Sequence, residues 1–492
     1  MNMIPFQPEF RPALPVVFGS KDYHEFRSIL EEMDRILIES GLEDNFIIRH
    51  LDSCQELSNK PRLQSVGVIK QALRCCILLA ITGESFRKLS LRIADSTLFQ
   101  WFTGMAQVDG IRSVSKSTLE RYEKEFSSEE IGVLIHDLNR AVSDERIAKE
   151  LLLRETRLHL NRIFADTTCV KANIHFPVDW VLLRDAVRTL ILAIELIRSY
   201  GIKHRISEPA VFLRKMNKLC IEMTHIRKKP DAPKKRKQVL RRMKKLTTIV
   251  QKHAKNYHHA LETNWQNAGI SEAKARVILD RIEGILSQLP QAIKQAHERI
   301  IGSRRVKNSE KILSLYESEI HVMVRGKSGA EVEFGNPLYL AEQEDGLIVD
   351  WNFSNEKPTG DNKLTEESIS RISAEYGKPE SYATDRGFDS PDNRIDLEEL
   401  GIINAICPRS VLLFKEKLKD ELFCSLQKRR GATEPRIGIF KNAYLGTPLR
   451  SKGFKNRRTR IEWCILAHNL WKIATMAAES RKEQKHHAEK AA

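Results

Sequence analysis

The sequence predicts an α+β (α/β-like) protein: a mixed sheet with flanking helices, interrupted by a large helical insertion and preceded by an all-helical N-terminal domain. Apolar residues recur every three or four positions through residues 21–155 and again through 179–306, the period of helices with one buried stripe. Between these stretches, Ile163-Phe164-Ala165-Asp166-Thr167-Thr168-Cys169-Val170 is a mostly apolar, β-branched run of strand length that carries one carboxylate. Strand texture resumes only at Glu319. The second helical stretch therefore reads as an insertion after the first strand, not as a domain in series.

Each element follows in order. Pro5, Pro8, Pro12 and Pro15 make residues 1–20 an extended arm. Residues 21–155 form the helical N-terminal domain. Within it, Ser113-Val114-Ser115-Lys116-Ser117-Thr118-Leu119-Glu120-Arg121-Tyr122 has the form of a turn leading into a capped polar helix. That form fits the second helix of a helix-turn-helix, and equally an ordinary capped surface helix. Residues 156–178 hold the first strand, and 179–308 the helical insertion, with a break at Pro230-Asp231-Ala232-Pro233. From 309 to 478 come strands at Ile320 to Val324, Glu331 to Phe334, Leu338 to Ala341 and Leu347 to Phe353. Turns at Gly326-Lys327-Ser328-Gly329 and Asp345-Gly346 make these antiparallel hairpins. A helix over Thr365 to Tyr376, a strand over Ser381 to Thr384, a helix over Pro391 to Leu400 and a strand over Ile402 to Cys407 follow. Helices fill most of Leu412 to Ala478. The Lys/Glu/His-rich tail 479–492 is expected to be disordered.

A chain of 492 residues allows two or three domains, and 41% hydrophobic with 30% charged residues marks a soluble globular protein. The best apolar run, Thr189 to Ile197, is broken by Glu195, so no membrane span is expected. The N-terminus lacks the pattern of a signal peptide, and eight Cys with no CxxC pair argue against a disulfide framework or a Cys-based zinc site. The expected location is the cytoplasm, at the nucleoid. Residues 203–255 hold 18 Lys and Arg against Glu208, Glu222 and Asp231, and residues 428–460 hold 11 against Glu434 alone. The whole chain carries +16, so the remainder is mildly acidic and the positive charge is concentrated in two patches. Such patches suit a polyanion, because neutralised phosphates release counterions.

Two carboxylates stand out by position. Asp166 lies inside an apolar strand, where a charge is costly unless paired. Asp385 ends a strand and precedes Arg386-Gly387-Phe388, a place where parallel sheets present site residues. Either alone could be a structural cap or turn. Glu434 is the third, the single acid among the bases of 428–460. At 100° per residue Arg430, Glu434 and Lys441 fall within about 40° of one another on a helix. Pro435 is tolerated only in a first turn, so the helix should start near Glu434 with Arg430 in the approach. Glu462 is the rival third acid, with a salt bridge on a packed helix as its ordinary reading. Asp179, Asp185 and Asp389 read as cap or turn acids, Asp389 close enough to support Asp385. His175 and His468 read as buried polar residues.

With the insertion removed, the order βββ-α-β-α-β-α is similar to that of a ribonuclease-H-like domain. The motifs themselves resemble the DDE transposases of prokaryotic insertion sequences, in the group whose glutamate signature is Y-x2-R-x3-E-x6-K. Here it reads Gln427, Arg430, Glu434 and Lys441, with Gln for the usual Tyr. The second-Asp signature D-x-G-Y/F reads Asp385-Arg386-Gly387-Phe388. Asp166-Thr167-Thr168 with Asn173-Ile174-His175-Phe176-Pro177, Glu331-Val332-Glu333-Phe334-Gly335, and Cys464-Ile465-Leu466-Ala467-His468-Asn469-Leu470 look like the same group, over about residues 60–480. The resemblance implies a metal-dependent enzyme that binds an element's terminal inverted repeats, cleaves DNA by two-metal hydrolysis and joins 3′-OH ends to target DNA. It implies Asp166, Asp385 and Glu434 as catalytic and metal residues for two Mg²⁺ ions, with Mn²⁺ able to substitute. Arg430, Lys441, Arg429, Lys428 and Arg436 would contact phosphate, residues 21–155 would bind DNA, and the protein would act as a homodimer or higher on double-stranded DNA. Two other functions fit the same residues: a nuclease without strand transfer, and a non-catalytic DNA-binding protein derived from a transposase.

Overall fold

The computed structural model describes residues 12–491 apart from 57–62, 64, 108, 153–157, 207, 227–230, 328–329 and 357–359. The tip of the Gly326–Gly329 turn, Pro230 of the insertion break and most of the N-terminal arm lie outside the described residues. The chain divides into two compact units, residues 1–171 with 337–492, and residues 172–336. It is an α+β protein with a six-stranded mixed sheet and flanking helices.

The first unit starts with α1 (Lys21–Glu39), α2 (Leu42–Glu56), α3 (Val66–Thr82), α4 (Phe86–Asp95), α5 (Thr97–Phe102), α6 (Lys116–Glu125), α7 (Ser128–Ser143) and α8 (Glu145–Leu152). Helix α6 is the expected capped helix: the Ser115 side chain accepts the Thr118 N–H. Strand β1 (Arg162–Lys171) follows. The second unit then contributes α9 (Asp179–Ser199), α10 (Pro209–His225), α11 (Ala232–Asn264), α12 (Glu272–Ala296) and β2 (His321–Lys327). Its apolar core is drawn from positions 182–315, among them Leu190, Met243, Tyr257 and Ile282.

Strand β3 (Ala330–Glu342) is one continuous strand where two were expected. Its first half pairs antiparallel with β2 (Val322↔Phe334), and its second half with β4 (Ile348–Phe353; Leu338↔Phe353). Pro337 stands where the partner changes. Pro has no N–H to donate, but its carbonyl accepts the Ser354 N–H at 3.2 Å, so the strand continues through it as its partner changes from β2 to β4. Next come α13 (Leu364–Tyr376), β5 (Ser381–Thr384), α14 (Pro391–Glu399), β6 (Ile403–Ile406), α15 (Val411–Lys417), α16 (Glu421–Arg430), α17 (Thr433–Ile439) and α18 (Phe454–Ala491). The sheet order is β2-β3-β1-β5-β6, with β4 on β3, and β1, β5 and β6 run parallel.

Two expectations are corrected. The tail is helix, not disordered: α18 runs to Ala491 because residues 454–491 contain no Gly or Pro and are rich in Ala, Lys, Glu and Arg, so extending a formed helix costs little. Arg481 and Lys482 also pair with Glu32 and Glu25 of α1, at 2.6 and 3.9 Å. The N-terminal helices, in turn, share one core with β3, β4 and α18. One cluster joins Leu30, Leu73, Leu134 and Leu138 to Leu340, Ile348, Trp463 and Leu470.

Candidate active site

Strand pairing places the first two acids. Strands β1 and β5 are parallel with Phe164 opposite Ala383, and two residues further along that register Asp166 faces the position of Asp385. Alternation along a strand puts Asp166 on the same sheet face as Phe164, and Asp385 on that of Ala383. Phe164, Ala383 and Ala405 pack against Phe423 and Leu426 of α16, so both carboxylates emerge on the side of the sheet that α16 covers. Helix α16 ends at Arg430 and α17 begins at Thr433, which carries Glu434 into its first turn with Pro435 behind it, as Pro requires. Asp385 and Glu434 both act on Asp166. Burial pushes the Asp166 carboxyl up to about 6; the Asp385 charge adds to the rise, the Thr167 N–H and Arg430 oppose it, and Glu434 adds to it again.

Gln427 anchors this corner. Its side-chain amide donates to Thr384 O at 3.0 Å and Ala405 O at 2.5 Å, at the ends of β5 and β6, and its carbonyl accepts from Arg430 Nε at 3.2 Å. Gln427 therefore holds Arg430, whose positive charge acts on Asp166. Lys441 arrives from the other side. Helix α17 gives way to a π-helical turn over Phe440–Leu445, so counting 100° per residue from Glu434 fails there. Lys441 Nζ instead reaches Thr168 Oγ1 at 3.0 Å, on the same face of β1 as Asp166.

Sequence reasoning missed Asp361. It opens a 3-10 turn (Asp361–Lys363), and its Oδ1 accepts from Thr167 Oγ1 at 3.1 Å. A Cβ on Gly387 would stand 2.9 Å from both Asp361 Oδ2 and Asp385 Oδ1, so glycine is what lets the two carboxylates approach. Gly360-Asp361-Asn362 looks like any polar turn, and no spacing in the sequence separates it from one. Asp389 is the turn acid expected. Burial disfavours its charge, but Arg394 at 2.6 Å and the Arg409 N–H at 2.7 Å hold its carboxyl below the ordinary value. Arg409 in turn donates to the carbonyls of Arg386 and Gly387, stiffening the loop after Asp385.

Other residues are placed differently from expectation. Arg429 lies 4.4 Å over the Phe164 ring and donates to Glu342 Oε1 and the carbonyls of Gln343 and Glu344. Arg436 also meets Glu342, at 3.4 Å. Both are drawn to the buried Glu342 carboxylate and its loop, because an acid in the sheet needs compensating charge. Lys428 is exposed. Glu462 is buried on α18, hydrogen-bonded to Ser128 Oγ and paired with Arg458 at 3.3 Å, which matches its ordinary reading. His468 is half-buried, with a pKa pushed down to about 4 chiefly by desolvation. His175 is exposed, not buried. Asp179 lies in the first turn of α9, where Gln295 and Arg299 donate to it, whereas Asp185 is mid-helix against Arg184.

The donors gathered here are carboxylates, hard oxygens that suit Mg²⁺ or Mn²⁺ over thiophilic ions. Among the described residues no three His, Cys, Asp or Glu side chains close on one point as a preformed metal site. No family model matches the chain, and searches of curated proteins and of solved structures return no significant match.

Proposed function

We propose that the chain is a transposase of an insertion sequence, with a ribonuclease-H-like catalytic domain that cuts DNA and joins the freed 3′-OH ends to a target. The observation that carries this reading is the meeting of Asp166, Asp385, Glu434, Arg430 and Lys441 at one corner of the sheet, from positions far apart in sequence. Asp166, Asp385 and Glu434 would hold Mg²⁺, or Mn²⁺ in its place, which would supply an activated water and charge for the leaving oxygen. Arg430, fixed by Gln427, and Lys441, fixed on Thr168, offer positive charge to a phosphodiester next to those acids. The Gly387 N–H donates to Asp385 Oδ1 at 2.8 Å and holds that carboxylate in place. No single described helix is long and apolar enough to cross a membrane. The partner on this reading is double-stranded DNA in the cytoplasm, at the nucleoid, bound by a homodimer or larger assembly because two element ends must be joined together.

The test is Mg²⁺-dependent nicking of supercoiled DNA and strand transfer of a labelled end, with wild type compared against Asp166→Asn, Asp385→Asn and Glu434→Gln. Each variant should lose both activities and keep its affinity for DNA. Nicking that survives in any of the three would sink the assignment. Cleavage without joining would favour a nuclease, and DNA binding with neither activity a non-catalytic derivative.

A further inference from the structure

We propose that one face of α11 in the second unit is a rail that holds the sugar-phosphate backbone of duplex DNA; this rests on the reading above and adds the surface that the corner of acids does not supply. From Ala232 to Leu261 the helix has ten Lys and Arg and no acid. Its buried positions, Leu240, Met243, Val250 and Ala254, occupy one side. Lys234, Arg241, Lys245 and Lys252 are exposed on the opposite side, at about 0°, 340°, 20° and 0° around the axis, with Gln238 and Thr248 between them. The four form no ion pair among the described residues, whereas their neighbours Lys235 and Arg242 are paired with Asp231 and Glu222.

A solvated helix face ordinarily alternates signs, because i, i+4 pairs of opposite charge stabilise it and like charges do not. This face stacks like charges over about 27 Å at 1.5 Å per residue, so the uncomplexed helix bears repulsion that a polyanion would relieve. The same length of duplex presents roughly 16 phosphates at one per 1.7 Å, enough to meet every base on the stripe. Beside it, Lys235, Gln238, Arg241 and Arg242 of α11 line a cleft of about 540 Å³ against Glu222 and Ile226. That gives the charge a concave seat with hydrogen-bond donors. The exposed Gln238 amide can donate to a phosphate oxygen but carries no charge, and the contacts are to backbone, so binding should be independent of base sequence.

The experiment titrates a fluorescent duplex of about 30 base pairs and arbitrary sequence into the full chain over a range of KCl concentrations. The variant carries Lys234→Gln, Arg241→Gln, Lys245→Gln and Lys252→Gln. Loss of four phosphate contacts should make the slope of log K against log salt shallower by about 3–4, with affinity near physiological salt down at least tenfold. A variant carrying Lys234→Arg, Lys245→Arg and Lys252→Arg should keep the wild-type slope, which separates charge from packing. An unchanged slope in the Gln variant overturns the rail, as does tighter binding to anionic lipid vesicles than to duplex. Nicking measured in parallel keeps the two ideas apart: nicking with an unchanged slope removes the rail alone, and a shallower slope without nicking removes the catalytic reading alone.

Discussion

Single side chains decide how well the corner of the sheet is held. Gln427 satisfies two carbonyls and orients a guanidinium with one amide, so Gln427→Ala leaves both acceptors without that donor and Arg430 without its guide. A loss of roughly 1–3 kcal/mol in urea unfolding is expected, with a larger proportional loss in nicking. Gln427→Glu should be worse, since a carboxylate would face two carbonyl oxygens; equal stability of the two variants would contradict the bonding described. Glu462 gives a pH-dependent case. Burial pushes its carboxyl up to about 7, against the pull of Ser128, Arg458 and Trp351. A raised folded-state pKa means that its contribution is fully present below its unfolded pKa, near 4.5, and is lost as pH rises through about 7. Wild type should therefore lose thermal stability between pH 5 and 8 relative to Glu462→Gln, which has no proton to lose. Parallel melting curves for the two proteins across that range would disprove it.

Elements set the next level, and here much was legible in advance. Buried strands announce themselves through β-branched runs, and α17 could be started at Glu434 because Pro435 allows little else. The corner itself was legible only as three acids in order. The sequence cannot show that β1 and β5 are neighbours in a register that aligns Asp166 with Asp385, since that pairing joins residues more than 200 apart. Asp361 stayed hidden because its role comes from the turn that faces Gly387, and the π-helical turn that carries Lys441 has no local signature. The turn after β5 offers a direct test of its own geometry. Gly387→Ala would place a methyl 2.9 Å from two carboxylate oxygens, both at ends of side chains that can move aside. The fold should survive with a melting temperature within a few degrees of wild type, while metal-dependent nicking falls by at least tenfold. A variant that nicks at the wild-type rate would show that the spacing of Asp361 and Asp385 is incidental.

At the scale of the whole molecule, the division of the core predicts which pieces can stand alone. Composition and helical period made residues 21–155 look like a domain, but periodicity reports only that a helix has a buried face, not what covers it. The cover is α18 and β4. Buried Arg460 of α18 pairs with Glu123 at 3.1 Å and donates to Leu79 O, and buried Asn469 donates to Asn139 Oδ1 at 3.0 Å and to Ile348 O. Cut away from residues 337–492, the N-terminal helices would expose Leu134, Leu138 and their neighbours to water and lose the bonds that Arg460 and Asn469 make to Glu123 and Asn139, a cost of several kcal/mol on a marginal core. Residues 172–336 differ, because Leu190, Met216, Met243, Tyr257, Ile282 and Leu289 all lie within the segment and pack on one another. Expressed separately, 172–336 should melt in one cooperative transition and resist dilute protease, and it should still bind duplex DNA through α11. Residues 12–158 should aggregate or bind a hydrophobic dye without a transition. A cooperative melt of 12–158 alone would show that the core shared with α18 is not what holds the N-terminal helices together.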